Sequence, residues 1–273
     1  MRRMDLVPFV RRYRPSDRAA LADICVRTAH EGGDSTSLYP DPGLMPTLFA
    51  FPYVELEPEF AFVLDDGTGQ AVGYILGACD TPRFAERFRA EWLPVVADRY
   101  PEPAGEPATR VEEMLVLLHR PERMVLPELA SFPAHLHIDL LPEWQRRGFG
   151  RALMWALLDA LEVAGVPAVH LCMVRANTAA RAFYGRLGFR EIDVPDPGPV
   201  LYLGRSTARA GLRDDEGGAR RTDGGHRLRR ASQWPAASGE RRGSVESTTA
   251  PADDSRGQTA GSENRCREPG PSP

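Results

Sequence analysis

The chain has no lysine. Its 34 basic side chains are all arginines, set against 38 acidic residues for a net charge of −4. A single arginine therefore carries little weight as a signal, and a broadly basic face for nucleic acid is not expected. Cysteine is scarce: Cys25, Cys79, Cys172 and Cys266 stand far apart with no C-x-x-C pair. That pattern fits neither a disulfide framework nor a zinc site and implies a reducing, cytoplasmic setting without a metal. Long apolar runs are missing too, none approaching the roughly 18 residues a membrane helix needs. The N-terminal MRRMDLVPFVRRYRPSD starts basic but lacks the continuous apolar core and small-residue cleavage site of a signal peptide. The expectation is a soluble body with neither membrane nor nucleic acid as partner.

From Arg205 onward the chain also lacks Phe, Ile and Tyr and has one Trp amid Gly, Ser, Arg, Asp and Pro. Such a segment cannot bury enough apolar surface to offset the entropy of ordering. Residues 205–273 are therefore expected to be a disordered tail, and 1–204 a single domain of ordinary size. The tail carries 13 Arg against 10 acidic residues and the body 21 against 28, so the body is the acidic part.

Within the body, Leu6 to Arg14 reads as a strand, and PSDRAALADICVRTAH as a helix with Ser16 or Asp17 as N-cap. Phe60–Leu64 and Ala71–Ala78 flank an Asp66-Gly67 turn and read as a hairpin. A helical pattern follows with Phe84, Phe88 and Trp92 on one face, broken by the Pro-rich stretch 101–107. VEEMLVLLHRP and PELASF fit no single template. AHLHIDLLP is a strand, FGRALMWALLDALEVAG a helix ended by Gly165, AVHLCMV a strand, NTAARAFYGRLG a helix, and FREIDV and VLYLG strands. This alternation indicates an α/β (α+β) sheet covered by helices on both faces.

The stretch QRRGFGRAL, Gln145 to Leu153, joins a strand to a helix. A helix N-terminus has unpaired N–H groups and a positive dipole end. Gly148 and Gly150 allow close approach and unusual backbone angles, and Arg147 and Arg151 stand ready to add charge-assisted contacts. Neither the Walker sequence nor a Rossmann G-x-G-x-x-G is present, since Leu153 takes the third glycine's place. A structural turn and an anion cradle are both open on this stretch alone.

A second element lies 27 residues after Gly150: Asn177, Ala180, Tyr184, Gly188 and Phe189 in NTAARAFYGRLGF. Together, QRRGFG and N-x-x-A-x-x-x-Y-x-x-x-G-F resemble the GNAT superfamily of acetyl-coenzyme A-dependent N-acetyltransferases, over about residues 6–204 and most tightly over Ala134 to Phe189. Gln145, Gly148 and Gly150 match the pyrophosphate loop. EGGDSTSLYPDPG, YVELEPEFAFVLDD and AHLHIDLLP are similar to bacterial relatives of the acetyltransferase-like domain of O-GlcNAc hydrolases.

The resemblance implies a mixed, mostly antiparallel central sheet and acetyl-CoA as co-substrate. It implies that Leu140 and Leu141 pair with the pantetheine arm, that Gln145, Arg146, Arg147, Gly148, Phe149, Gly150 and Arg151 hold the pyrophosphate, and that Asn177 bonds the pantetheine or caps its helix. Tyr184 is the implied general acid toward the coenzyme A sulfur, and the Leu140 amide the oxyanion donor. His135, His137 and Asp139 alternate on one strand face. AHLH is similar to the two-histidine strand of serotonin N-acetyltransferases, which makes both histidines candidate bases; internal pairing is the competing reading. Asp34 is a candidate for binding the acceptor. That acceptor is an amine, small-molecule or peptide, and acidic residues in 31–43 and 82–107 hint at a cationic one. A homodimer is allowed for. The alternatives are a catalytically silent module of the same fold and, less well supported, another phosphate binder.

Overall fold

The computed structural model describes residues 6–30 and 32–208; the expected tail from 209 onward lies outside the described residues, as does Glu31. β1 (Phe9–Arg12) is an edge strand, shorter than the alternation suggested. A short 3-10 turn leads into α1 (Arg18–Thr28). Asp17 stands at its N-cap position, but its carboxylate is occupied elsewhere. It accepts the Arg14 N–H at 2.8 Å and two hydrogen bonds from the Arg11 guanidinium, which also reaches Asp65 at 2.8 Å. The expected cap is thus a buried ion cluster tying β1 to the start of α1.

The irregular apolar segment forms two short helices, α2 (Leu44–Phe49) and α3 (Phe51–Leu56). The hairpin follows as β2 (Ala61–Asp65) and β3 (Ala71–Ala78), buried along both strands. The Phe84/Phe88/Trp92 pattern is helical as expected, but in three pieces: α4 (Thr81–Arg87), a π-turn over Phe88–Trp92 and α5 (Leu93–Val96). VEEMLVLLH resolves as α6 (Arg110–His119), with a Thr109/Glu112 capping box. A 3-10 turn, Pro121–Met124, follows it. PELASF holds only a 3-10 turn, at Pro127–Leu129.

The second half alternates as read: β4 (Ala134–Leu140), α7 (Phe149–Val163), β5 (Ala168–Val174), α8 (Thr178–Arg186), β6 (Arg190–Ile192) and β7 (Val200–Ser206). β7 continues past residue 204 because Arg205 and Ser206 still pair with Val169 and Ala168. The strands make one sheet in the order β1-β2-β3-β4-β5-β7-β6, antiparallel throughout except at β4–β5. Leu153, Met154, Leu157, Leu158 and Leu161 make α7 a fully buried stripe against one face. The Leu157 side chain lies where a Cβ on Gly77 of β3 would sit, at 2.7 Å. The other face carries α1–α3 and the aromatic cluster of Tyr53, Phe84 and Phe88. Among the described residues no helix is long and apolar enough to cross a membrane.

Candidate active site

β4 and β5 are paired only at Ala134–Val169 and His135–His170, although β4 runs on to Leu140 and β5 to Val174. Beyond His135 the two neighbours are no longer bonded, which opens a wedge in mid-sheet. On its other edge β4 stays paired with β3 as far as Leu140. The Leu141 N–H donates to the Val72 carbonyl at 3.1 Å and fixes the phase of that ladder. Alternation then turns the amides of His137 and Asp139 toward β3 and those of Ile138 and Leu140 into the wedge. At Leu141, expected to meet the pantetheine arm, the N–H donates to the Val72 carbonyl and the carbonyl accepts the Trp144 N–H.

The chain leaves β4 through Pro142–Trp144 and turns into α7 by two left-handed residues, Arg146 (φ 56°) and Gly148 (φ 87°). Gly148 takes that angle without the Cβ clash an L side chain meets. From Arg146 to Arg151 the backbone N–H groups donate to no acceptor among the described residues; the next amide, Ala152, returns to the Gly148 carbonyl at 3.2 Å. These six consecutive amides, unpartnered among the described residues, stand at the start of a 15-residue helix, where the dipole favours an anion. Gln145 braces this turn, its Nε2 donating to the Leu140 carbonyl at 2.9 Å. Gly150 is needed for packing, since a Cβ there would meet the Phe183 ring at 3.2 Å. The Arg147 guanidinium stacks over Trp144 (4.9 Å) and Phe149 (5.4 Å), whereas Arg151 is exposed.

Asn177 caps α8, its Oδ1 accepting the Ala180 N–H at 3.0 Å, and its side-chain NH2 has no acceptor among the described residues. Tyr184 is buried between Phe183 and Phe189, and its hydroxyl has no hydrogen-bond partner among the described residues. Burial and the nearby Asp139 charge push that hydroxyl's pKa up, so it stays protonated at neutral pH.

The face carrying His135, His137 and Asp139 separates them by their partners. His135 is fully enclosed: its Nε2 meets the Tyr53 hydroxyl and its Nδ1 the Thr81 hydroxyl, both at 2.9 Å. Burial, with His170, His137 and Arg123 around it, holds its pKa well below the usual value. His137 touches the rings of Phe49 and Tyr53, at 5.7 and 5.3 Å, yet makes no hydrogen bond among the described residues and keeps some exposure. Its pKa falls to about 4, from burial first and the Arg123 charge second, which leaves a neutral imidazole. Asp139 accepts the Tyr74 hydroxyl at 2.6 Å, and burial raises its carboxyl to about 6. Asp34 is exposed, its Oδ1 accepting the Thr36 N–H at 2.7 Å in its own loop.

Leu140 and Phe183 meet at Gly150 beside the helix start, Asp139 acts electrostatically on Tyr184, and His137 shares its strand face with Asp139, while Asp34 serves its own turn. Sequence reading missed Tyr53, Thr81 and Tyr74, which fix the polar groups on this face, because only the strand register brings them there. A separate groove of about 560 Å³, lined by Phe51, Trp92, Val96 and Tyr100, shares none of these residues. No group of His, Cys, Asp and Glu among the described residues is arranged to hold a metal.

A mixed sheet opened between two parallel neighbours, with a glycine-turned helix start beside the opening, defines a class of acyl-transfer domain. Residues 34–189 match the acetyltransferase (GNAT) family model, and this chain belongs to that family. A solved protein, SsHAT, is 67% identical with a TM-score of 0.72, over 74% of this chain and 99% of that one. Rattus norvegicus protein O-GlcNAcase is 30% identical over 202 residues, 72% of this chain but 22% of that protein, so this chain spans about a fifth of that relative's length. The [ribosomal protein bS18]-alanine N-acetyltransferase of Escherichia coli K12 is 40% identical over 72 residues, 26% of this chain and 46% of that enzyme.

Proposed function

We propose that this chain binds acetyl-CoA in the wedge and passes the acetyl group directly to an amine in a ternary complex. The observation carrying this reading is the run of six amides from Arg146 to Arg151, unpartnered among the described residues, beside the unpaired edge of β4. A pyrophosphate is a compact anion with several acceptor oxygens. Free N–H donors, a helix N-terminus and a Cβ-less Gly148 fit it. Asn177, through its free NH2, and the Leu140 edge would hold the pantetheine arm. When bound there, acetyl-CoA supplies an acetyl group activated as a thioester.

His137, partly exposed and without a hydrogen-bond partner among the described residues, accepts the proton the amine must lose. The Leu140 N–H donates to the carbonyl oxygen as negative charge develops on it. The Tyr184 hydroxyl delivers a proton to the departing sulfur. A C–N bond forms, the C–S bond breaks, and one proton enters at His137 as one leaves Tyr184. His135 positions this set through Tyr53, whose ring packs on both histidines. Acetyl-CoA titration by calorimetry, followed by thioester cleavage across amines, amino sugars and peptides, tests the proposal. Saturable binding and cleavage with at least one amine are expected. Binding without cleavage on any amine would leave a silent binding module, and no binding would remove the reading altogether.

A further inference from the structure

We propose that Asp139 receives the ammonium of the incoming amine, and that Tyr74 positions its carboxylate for that role. This deepens the acetyltransferase reading above, rests on it, and gives the acceptor a class: a cationic amine. The strand register sets the place. Asp139 lies directly across from Tyr74 on β3 and shares one face of β4 with His137, two residues away, so the two β4 side chains rise about 7 Å apart. Its Cα is about 3.8 Å from that of Leu140, whose N–H points into the wedge. Tyr74 is fully buried and donates to the Oδ2 of Asp139 at 2.6 Å. The Oδ1 accepts no hydrogen bond among the described residues. Thr28, the other hydroxyl near this carboxylate, gives its proton to the Ile24 carbonyl at 2.7 Å. No enclosed side-chain oxygen among the described residues lacks a partner, so Oδ1 is an atom that solvent reaches. Tyr74 holds the oxygen nearer β3, which turns Oδ1 away from β3, on the side where β4 has lost β5.

The carboxylate also lacks a counter-charge. The enclosed aspartates Asp17 and Asp65 share Arg11. Asp139 is half-buried too, yet it stands in no ion pair among the described residues. A carboxylate drawn partly out of water without a cation is costly, and a cation arriving at Oδ1 removes that cost. An ammonium carries three N–H donors. One can serve Oδ1 while another meets the His137 imidazole, which has no hydrogen-bond partner among the described residues and takes the proton in the reading above. The two groups are spaced for this, since a nitrogen midway between side chains about 7 Å apart is within hydrogen-bond reach of both. The same arrangement separates substrate from product. Acetylation turns the ammonium into a neutral amide, the ion pair is lost, and the product is held less tightly than the amine.

The test compares matched probes on the full chain: benzylamine against benzyl alcohol, and ethanolamine against ethylene glycol. Binding to the chain saturated with coenzyme A is read by calorimetry, and the amines are read by thioester cleavage as well. The amine of at least one pair should bind about 10-fold more tightly than its hydroxyl counterpart, and its N-acetyl product no better than that counterpart. Asp139→Asn, which keeps an oxygen for Tyr74, should erase the preference and raise the amine KM about 10-fold, with coenzyme A affinity unchanged. Tyr74→Phe keeps the charge but releases the carboxylate, and should raise the same KM about 3-fold without altering the binding of the alcohol. Circular dichroism checks that both variants fold, and Asp139→Asn alone decides the ammonium site if Tyr74→Phe does not. A wild-type KM in folded Tyr74→Phe would remove the positioning role. A preference unchanged in Asp139→Asn, or equal binding within both pairs, would overturn the inference while leaving acetyl-CoA binding intact. Loss of acetyl-CoA binding in the wild type would instead sink the acetyltransferase reading, with amine binding to the free chain still deciding the role of Asp139.

Discussion

In the proposed reading, the donor side of the site and the acceptor side are built from different materials. The donor side is a short continuous run, Leu140 to Arg151, that offers backbone amides turned outward by Gly148. The proposed acceptor side is assembled from side chains far apart in sequence: Tyr53 of α3, Thr81 of α4, and His135 and His137 of β4. A backbone cradle depends on conformation and tolerates any side chain that permits the angles. A side-chain wall depends on identity, and one substitution removes one role. The two halves should therefore fail differently.

The largest effect is expected on the donor side. Gly148→Glu forces an L residue into φ 87° and sets a carboxylate in an anion site. Acetyl-CoA affinity should fall by about 100-fold or more, with each factor of ten worth about 1.4 kcal/mol. Gly148→Asn, which tolerates left-handed angles, should stay within a few-fold of wild type. Calorimetry on both variants decides it. Equal loss in the two would mean that side-chain bulk, not backbone conformation, controls the cradle.

Acceptor-side chemistry should change turnover and not donor binding. Tyr184→Phe and His137→Gln are each expected to lower kcat by about 100-fold with acetyl-CoA affinity near wild type. Rapid thioester cleavage by Tyr184→Phe would end the general-acid role. The two histidines also separate cleanly. His135→Leu strands the buried Tyr53 hydroxyl, whereas Thr81 keeps its bond to the Pro133 carbonyl. It should cost about 2 kcal/mol of stability in urea unfolding. His137→Gln, which breaks no hydrogen bond, should cost far less.

The same contrast explains what was legible in the sequence. The turned helix start at Gln145 to Arg151 was readable because its signals are local: glycines at fixed offsets, a strand before them, a buried helical stripe after. The order of strands and helices in the second half was readable for the same reason. The side chains around the histidines were not, because nothing local to Tyr53 or Thr81 says that the fold will bring them to His135 and His137. Where sequence offered several roles for one residue, partners decided. Ser16 or Asp17 was expected to cap a helix, and Asp17 instead answers Arg11.

The smallest expected effect bears on the arginines of the loop itself. Arg147 is the residue a charge-based reading would choose, yet its guanidinium lies on Trp144 and Phe149, a contact worth about 0.5–1 kcal/mol at an exposed site. If the amides hold the anion, Arg147→Ala removes some packing and a little distant charge. Acetyl-CoA affinity should weaken by no more than about 3-fold, and its dependence on salt should hardly change, because exposed charges are already screened over roughly 8–10 Å. Titrations at low and high salt on wild type and variant give both numbers. A loss approaching that of Gly148→Glu, with a flattened salt dependence, would transfer the cradle's function from backbone to side chain. The donor side would then be made of the same material as the acceptor side, and the difference between the two halves would disappear.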